Sequence, residues 1–197
     1  MTARRHLKNR RWKRYVLAWA EGKMAMAISM YDASVAVFQA RLKALAGVLN
    51  AAEQNAAERK IDPEVLLFAR LAPDMYPLTR QVQIATDHAK GASSRLAGRD
   101  APRFEDDEQT FDDLHARIGR TTDYLATFTT QDIAGSEEKT VELRLGGRQL
   151  SMPGLQYLLH FAMPNFYFHV TTAYDILRHN GVPLGKVTFI SGGQSRV

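Results

Sequence analysis

Residues 153–186 have the sequence PGLQYLLHFAMPNFYFHVTTAYDILRHNGVPLGK, and this stretch does most to decide the fold. His169 falls within an apolar stripe of the predicted helix, and Asn165 lies at the edge of that stripe. Because an unpaired buried polar group costs about 1–3 kcal/mol, we expect both side chains to find hydrogen-bond partners, and they are the best candidate site in the chain. The stripe consists of nine apolar residues that share one face at helical spacing: Leu155, Leu158, Leu159, Ala162, Phe166, Val170, Ala173, Ile176 and Leu177.

Two further residues of this helix affect the candidate site. His160 lies about 180° from His169 on an ideal helix, so the two imidazoles are not expected to bind one ion. Pro164 lacks an N–H, removes the hydrogen bond to the carbonyl of His160 and should bend the helix. Such a bend could open a cavity beside Asn165, or it could simply follow the curvature of a bundle.

Three more helices are predicted before this one. They span about residues 29–60, 62–98 and 110–130. Ser29 and Thr110 are each followed three positions later by an aspartate, a pattern that resembles the capping box at a helix start. Pro73 and Pro77 should break or kink the second helix.

A different pattern joins the third and fourth helices. Val141, Leu143 and Leu145 alternate with charged residues, and Gly146–Gly147 follows, which predicts a small β-hairpin. Four helices with a long connection between the last two favour an antiparallel bundle with a ligand site on its inner faces. The predicted fold is therefore an all-α four-helix bundle with kinked second and fourth helices and a hairpin between helices 3 and 4.

Composition limits the classes of function. The chain has 197 residues, enough for one domain with its own core, and it has no cysteine. Disulfides, thiolate nucleophiles and zinc–sulfur sites are therefore excluded. No apolar run approaches the roughly 20 residues that span a bilayer, and no secretory signal is evident. We expect a cytoplasmic protein that does not enter a membrane.

The basic character of the chain is concentrated at its N-terminus. Residues 1–23 carry eight of the 26 lysines and arginines and only one acid, Glu21. This arm could bind nucleic acid or an anionic surface, act as a targeting segment, or be a translated upstream stretch before Met24 or Met26. We expect residues 1–25 to lie outside the fold, residues 26–190 to form the bundle, and residues 191–197 to be a tail. Nucleic-acid binding is not expected apart from this arm.

Two segments carry a resemblance to a known family: KIDPEVLLFARLAPDMYPLTRQVQIATDHAKGASSRLAG and LLHFAMPNFYFHVTTAYDILRHNGVPLGK. Together they resemble an uncharacterised bacterial domain-of-unknown-function family, which is itself similar to the DinB/YfiT-like helical bundles, a superfamily associated with metal-dependent enzymes. The resemblance covers about residues 26–186. It implies a four-helix bundle whose second and fourth helices face a shared site.

The metal site of that superfamily typically uses one histidine from the second helix and an HxxxH pair from the fourth. In this chain the pair is matched by Asn165 and His169, so one histidine is replaced. On the second helix, Gln81 and His88 lie along one edge of the apolar face. Because an amide is a poor ligand for zinc or nickel, we expect no tightly bound metal. A divalent cation at His169 remains the open alternative.

Two functions stay open. The first is a binding module, expected to be a homodimer, with a small polar pocket formed by His169, Asn165, Gln81 and His88. The second is a metal-dependent or histidine-assisted transferase or hydrolase, as the resemblance implies. His169 could also be a purely structural histidine.

Two other groups of polar residues are interpreted as structural. The acidic loop Glu105–Glu108 is expected to be solvated, and Asp87 and His88 point about 100° apart on their helix and form no dyad.

Overall fold

A computed structural model of the chain describes residues 28–193. The predictions for the basic arm before residue 26 and for the last four residues of the tail lie outside the described part. The helices and strands are α1 (Met30–Ala33), α2 (Val35–Arg59), α3 (Pro63–Leu67), α4 (Leu78–Ala97), α5 (Phe111–Leu125), α6 (Thr130–Ile133), β1 (Thr140–Leu145), β2 (Arg148–Pro153), α7 (Gly154–Tyr157), a π-helical turn (Leu158–Ala162), α8 (Met163–His179) and α9 (Lys186–Ser191).

Four long helices enclose one hydrophobic core. Helix α2 packs against α5 and α8, and α4 packs against the same two helices, so the four close a ring. Phe38 of α2 and Phe166 of α8 meet edge to face in the centre, with both rings fully buried. The predicted four-helix bundle is confirmed.

N-terminal caps form at the predicted starts of the first and third helices. The Ser29 side chain accepts a hydrogen bond from the Asp32 N–H, and Thr110 with Asp113 forms a complete capping box. The region of Pro73 and Pro77 breaks the second helix outright, because α3 ends at Leu67 and α4 begins directly after Pro77.

The hairpin forms with the predicted turn. Leu145 pairs with Arg148 across an antiparallel ladder, and the two turn residues have φ values of +55° at Gly146 and +79° at Gly147. A two-residue turn with positive φ at both positions suits glycine and matches the twist of the strands. Val141 and Leu143 turn their side chains into the core.

The fourth bundle helix differs from the predicted ideal helix at its N-terminal end. Leu155 and Leu159 were expected in the buried stripe, but they are 44% and 49% exposed. The reason is the π-helical turn, in which the Met163 N–H bonds to the Leu158 carbonyl five residues back. A π turn rotates the chain less per residue than an α turn, so residues before Ala162 shift round the helix. The turn ends two residues before Pro164, where a bend was predicted.

Two features concern the first and last described helices. By length and hydropathy alone the stretch Met30–Arg59 could cross a membrane, but core helices meet the same criteria, and 44% of its apolar window is buried in the bundle.

At the other end, α9 continues past residue 190, and Phe189 packs on Tyr174. A Cβ added to Gly47 would lie 2.1 Å from the Gly192 carbonyl oxygen, so the chain there lies tightly against α2.

Candidate functional site

His169 is buried and has a specific partner, as its place in the apolar stripe predicts. Its side chain on α8 is joined to α4 by a 2.7 Å hydrogen bond between Nδ1 and the Gln81 Oε1. The Gln81 Nε2 donates to the Tyr76 carbonyl, which fixes the orientation of the amide. Because an amide oxygen can only accept, Nδ1 of His169 carries the proton and Nε2 carries the lone pair.

His88 stacks on His169. The two ring centroids are 5.8 Å apart with an angle of 16° between the planes, and His88 also meets Phe161 edge to face, with the centroids 6.3 Å apart. Burial lowers the pKa of His169 to about 4, helped by the charge of Arg80 and by that of His88 at pH values where His88 is protonated. Burial also lowers the pKa of His88, with Asp87 opposing and Arg95 reinforcing the shift. Both imidazoles are therefore neutral at pH 7.

Asn165 forms its hydrogen bond within its own helix and not with the other residues of the candidate site. Its half-buried side chain donates from Nδ2 to the Phe161 carbonyl, 2.7 Å away in the same helix. This bond serves the backbone at the junction of the π-helical turn and α8. The structure thus brings Gln81, His88 and His169 together, whereas the hydrogen bond of Asn165 belongs to its own helix. His160 is exposed on the outside of the bundle, as predicted.

A surface cleft of about 230 Å³ adjoins His88. It lies between α4, the hairpin and the π-helical turn. Its walls combine apolar side chains with titratable ones, and they are formed by Ile84, Asp87, His88, Arg95, Leu143, Arg144 and Phe161. The cleft is smaller than the roughly 300–1,000 Å³ of most small-molecule sites, and its walls are partly apolar and partly charged.

Arg117 forms a second polar cluster, which sequence reasoning missed. Its side chain is fully buried. It donates to the Thr86 hydroxyl at 2.8 Å, to the Asp87 carboxylate at 2.9 Å and to the Glu108 carboxylate at 2.9 Å. Burial opposes its charge, but the hydrogen bond to Glu108 and the nearby carboxylates outweigh burial and raise the pKa of Arg117.

This cluster corrects the expectation of a solvated acidic loop at one residue, Glu108, whereas Glu105, Asp106 and Asp107 are exposed as predicted. The Glu108 side chain is only 2% exposed, because it faces Arg117 across the junction of the loop with α4 and α5. The signal in the sequence was the position of Arg117 at helical spacing between Leu114 and Thr121 on the buried face of α5. An arginine at such a position predicts an acidic partner, although spacing alone does not identify it.

The chemistry of the histidine pair is that of neutral bases and hydrogen-bonding groups. Nε2 of His169 has no hydrogen-bond partner among residues 28–193, and a neutral imidazole lone pair is the form that accepts a proton or binds a metal. Within the same residues, no three histidine, aspartate or glutamate side chains are arranged to hold a metal ion. The site presents two imidazoles where a zinc site needs at least three protein ligands.

Comparison with known proteins identifies the family. The model of the family described as "Domain of unknown function (DUF1993)" matches residues 30–190. The chain belongs to the DUF1993 family. Its fold is also similar to the crystal structure of a DinB family member protein from Shewanella denitrificans, with 39% sequence identity and a TM-score of 0.75, covering 85% of this chain and 94% of that one. No functionally curated protein matches the chain.

The family result confirms the resemblance drawn from the sequence. This chain is a DUF1993 protein with a DinB-like helical bundle.

Proposed function

We propose that this DUF1993 protein binds a small molecule in the cleft beside His88, with His169 and Gln81 holding the His88 ring in place. The observation that carries the proposal is the stacked, neutral histidine pair, whose inner ring is tied to Gln81 and whose outer ring lines the cleft. Burying the imidazole of His169 and the amide of Gln81, with His88 partly buried beside them, lowers stability relative to well-packed apolar side chains. Polar groups retained at such a cost are typical of functional sites.

The proposal is tested by ligand screening with a matched pair of variants. A small-molecule thermal-shift screen on the parent protein should give compounds that raise its melting temperature. His88→Leu should abolish those shifts because it removes the polar wall of the cleft. His160→Leu changes an exposed histidine away from the cleft and should keep them. Compounds whose shifts survive His88→Leu would place binding elsewhere and refute the proposal.

A histidine-assisted or metal-dependent transferase or hydrolase is the second candidate. The free Nε2 lone pair of His169 favours it, since Gln81 orients this ring as outer partners orient metal-bound histidines. Stoichiometric zinc or nickel that survives dialysis of untagged protein, and that is lost in His169→Ala, would support this candidate. Protein that stays metal-free after exposure to either ion would count against its metal-dependent form.

We also propose that the protein is a homodimer. Exposed apolar side chains along the fourth bundle helix support this, among them Leu155, Leu159 and Phe168. Light scattering coupled to size-exclusion chromatography should give twice the chain mass, and Leu159→Glu should shift it toward the monomer. A parent protein that is monomeric at a concentration of about 10⁻⁴ M would refute the dimer.

A further inference from the structure

The cleft beside His88 has an excess of positive charge. Two guanidinium groups line it, Arg95 from α4 and Arg144 from β1. Neither forms an ion pair with a carboxylate among residues 28–193, in contrast to Arg117 deeper in the bundle. Arginine has a planar fork of donors that fits carboxylate and phosphate oxygens.

Asp87 also lines the cleft, but its charge is already compensated. Its Oδ1 lies 2.7 Å from the Lys90 ammonium and 2.9 Å from the Arg117 guanidinium. Two cations thus share one carboxylate oxygen on the inner side of α4. The Lys90 ammonium, together with a share of the Arg117 charge that also faces Glu108, therefore offsets the negative charge of Asp87 at this wall.

Arg95 is held in place without losing its charge. Its Nη1 donates to the Tyr157 hydroxyl at 3.2 Å. Burial raises the pKa of Tyr157, so the phenol stays neutral and does not pair with the cation. A Cβ added to Gly91 would lie 2.8 Å from Nη1, so the missing side chain at Gly91 leaves room for the guanidinium against α4.

The rest of the cleft limits the size and character of its ligand. Ile84, Leu143 and Phe161 provide apolar walls, and the volume of about 230 Å³ suits only a compact molecule. We infer that the cleft binds a small organic anion, with its carboxylate or phosphate group between Arg95 and Arg144 and its apolar body against Phe161. This inference rests on the proposed function and names the class of ligand.

The test compares matched charged and neutral probes. Benzoate, phenyl phosphate and benzamide differ in charge but share one ring, and their binding is followed by the imidazole NMR signals of His88 and His169. Benzoate or phenyl phosphate should bind. Benzamide should bind at least about tenfold more weakly, because it cannot form the charge-assisted hydrogen bonds. The stronger of the two anions distinguishes a carboxylate from a phosphate ligand.

Four variants test which positive charges bind the anion. Arg95→Gln and Arg144→Gln should each weaken anion binding about tenfold, whereas Arg148→Gln, exposed at the start of β2, should leave it unchanged. Gly91→Ala is a milder variant, since it should displace the Arg95 guanidinium and weaken binding while the bundle stays folded.

The outcomes separate this inference from the proposed function. Benzamide that binds as tightly as benzoate, and loses binding in His88→Leu, would overturn the anion inference and leave small-molecule binding intact. Benzoate binding that is unaffected by both Arg95→Gln and Arg144→Gln would also overturn it. If no probe causes a response at a concentration of about 10⁻² M, anion binding at this cleft is refuted. The proposed function is then decided by the thermal-shift screen.

Discussion

Replacing His169 with leucine tests the hydrogen bond on which the site is built. Leucine roughly fills the volume of the imidazole but cannot donate to Gln81. The Gln81 side chain is 1% exposed, so water cannot reach the acceptor that His169 leaves behind. A buried acceptor without a partner costs about 1–3 kcal/mol. In a protein of this size that corresponds to a melting temperature lower by about 2–12 °C.

A double-mutant cycle isolates the hydrogen bond from the change in packing. Gln81→Met removes the acceptor while keeping an unbranched side chain, and it leaves the Nδ1–H of His169 unpaired. In the double variant neither stranded group remains from this bond, so the loss of stability should be smaller than the sum of the two single losses. We expect a coupling free energy of about 1 kcal/mol or more.

The assay is urea unfolding at pH 7.5, with His160→Leu as control. His160 is exposed on the same helix, so its replacement should change the unfolding free energy by less than about 0.5 kcal/mol. Strictly additive losses for His169→Leu and Gln81→Met would refute the hydrogen bond. Equal behaviour of His169→Leu and His160→Leu would show that the helical phase across Pro164 is wrong.

Three further predictions follow from buried groups. The pKa of His169 falls from 6.5 to about 4 on folding, so the unfolded state binds more protons than the folded state between these pH values. The unfolding free energy should therefore drop by up to about 3 kcal/mol as the pH is lowered from 6.5 to 4. Urea titrations of His169→Leu should show a flatter dependence on pH. Arg117→Met should cost up to about 3–5 kcal/mol in the same assay, because it removes the buried cation that faces Glu108 and leaves Gln83 and the half-exposed Arg120 as the remaining partners of that carboxylate. Adding Glu108→Leu should recover much of the loss. Gly154→Ala should lower the melting temperature, since its Cβ would lie 2.0 Å from the Ser136 carbonyl oxygen.

The parts of the fold that follow local rules could be predicted from the sequence. The capping box at Thr110 depends on residues three positions apart, and the hairpin turn at Gly146–Gly147 depends on two adjacent residues with positive φ. The burial of His169 followed from the period of the apolar stripe. Each of these features is determined within one helix or turn, where spacing alone carries the information.

The parts that depend on backbone detail or on packing between distant segments could not be predicted. The π-helical turn changes the hydrogen-bonding pattern by one residue, which was enough to expose Leu155 and Leu159. The contact of Gln81 with His169 depends on the axial register of α4 against α8, and the burial of Glu108 depends on how its loop folds onto Arg117. Spacing within a helix places a residue on a face but does not determine its height opposite a neighbouring helix.

The most direct test of the site is the protonation state of the His169 ring. The chain has six histidines, and ¹⁵N NMR of labelled imidazoles distinguishes the two neutral tautomers, with His169→Leu assigning the signal. We expect a neutral ring at pH 7 with the proton on Nδ1 and a pKa near the value of about 4 that burial imposes. A ring protonated on Nε2, or one that titrates near 6.5, would contradict the Gln81-held histidine pair and the binding site proposed beside it.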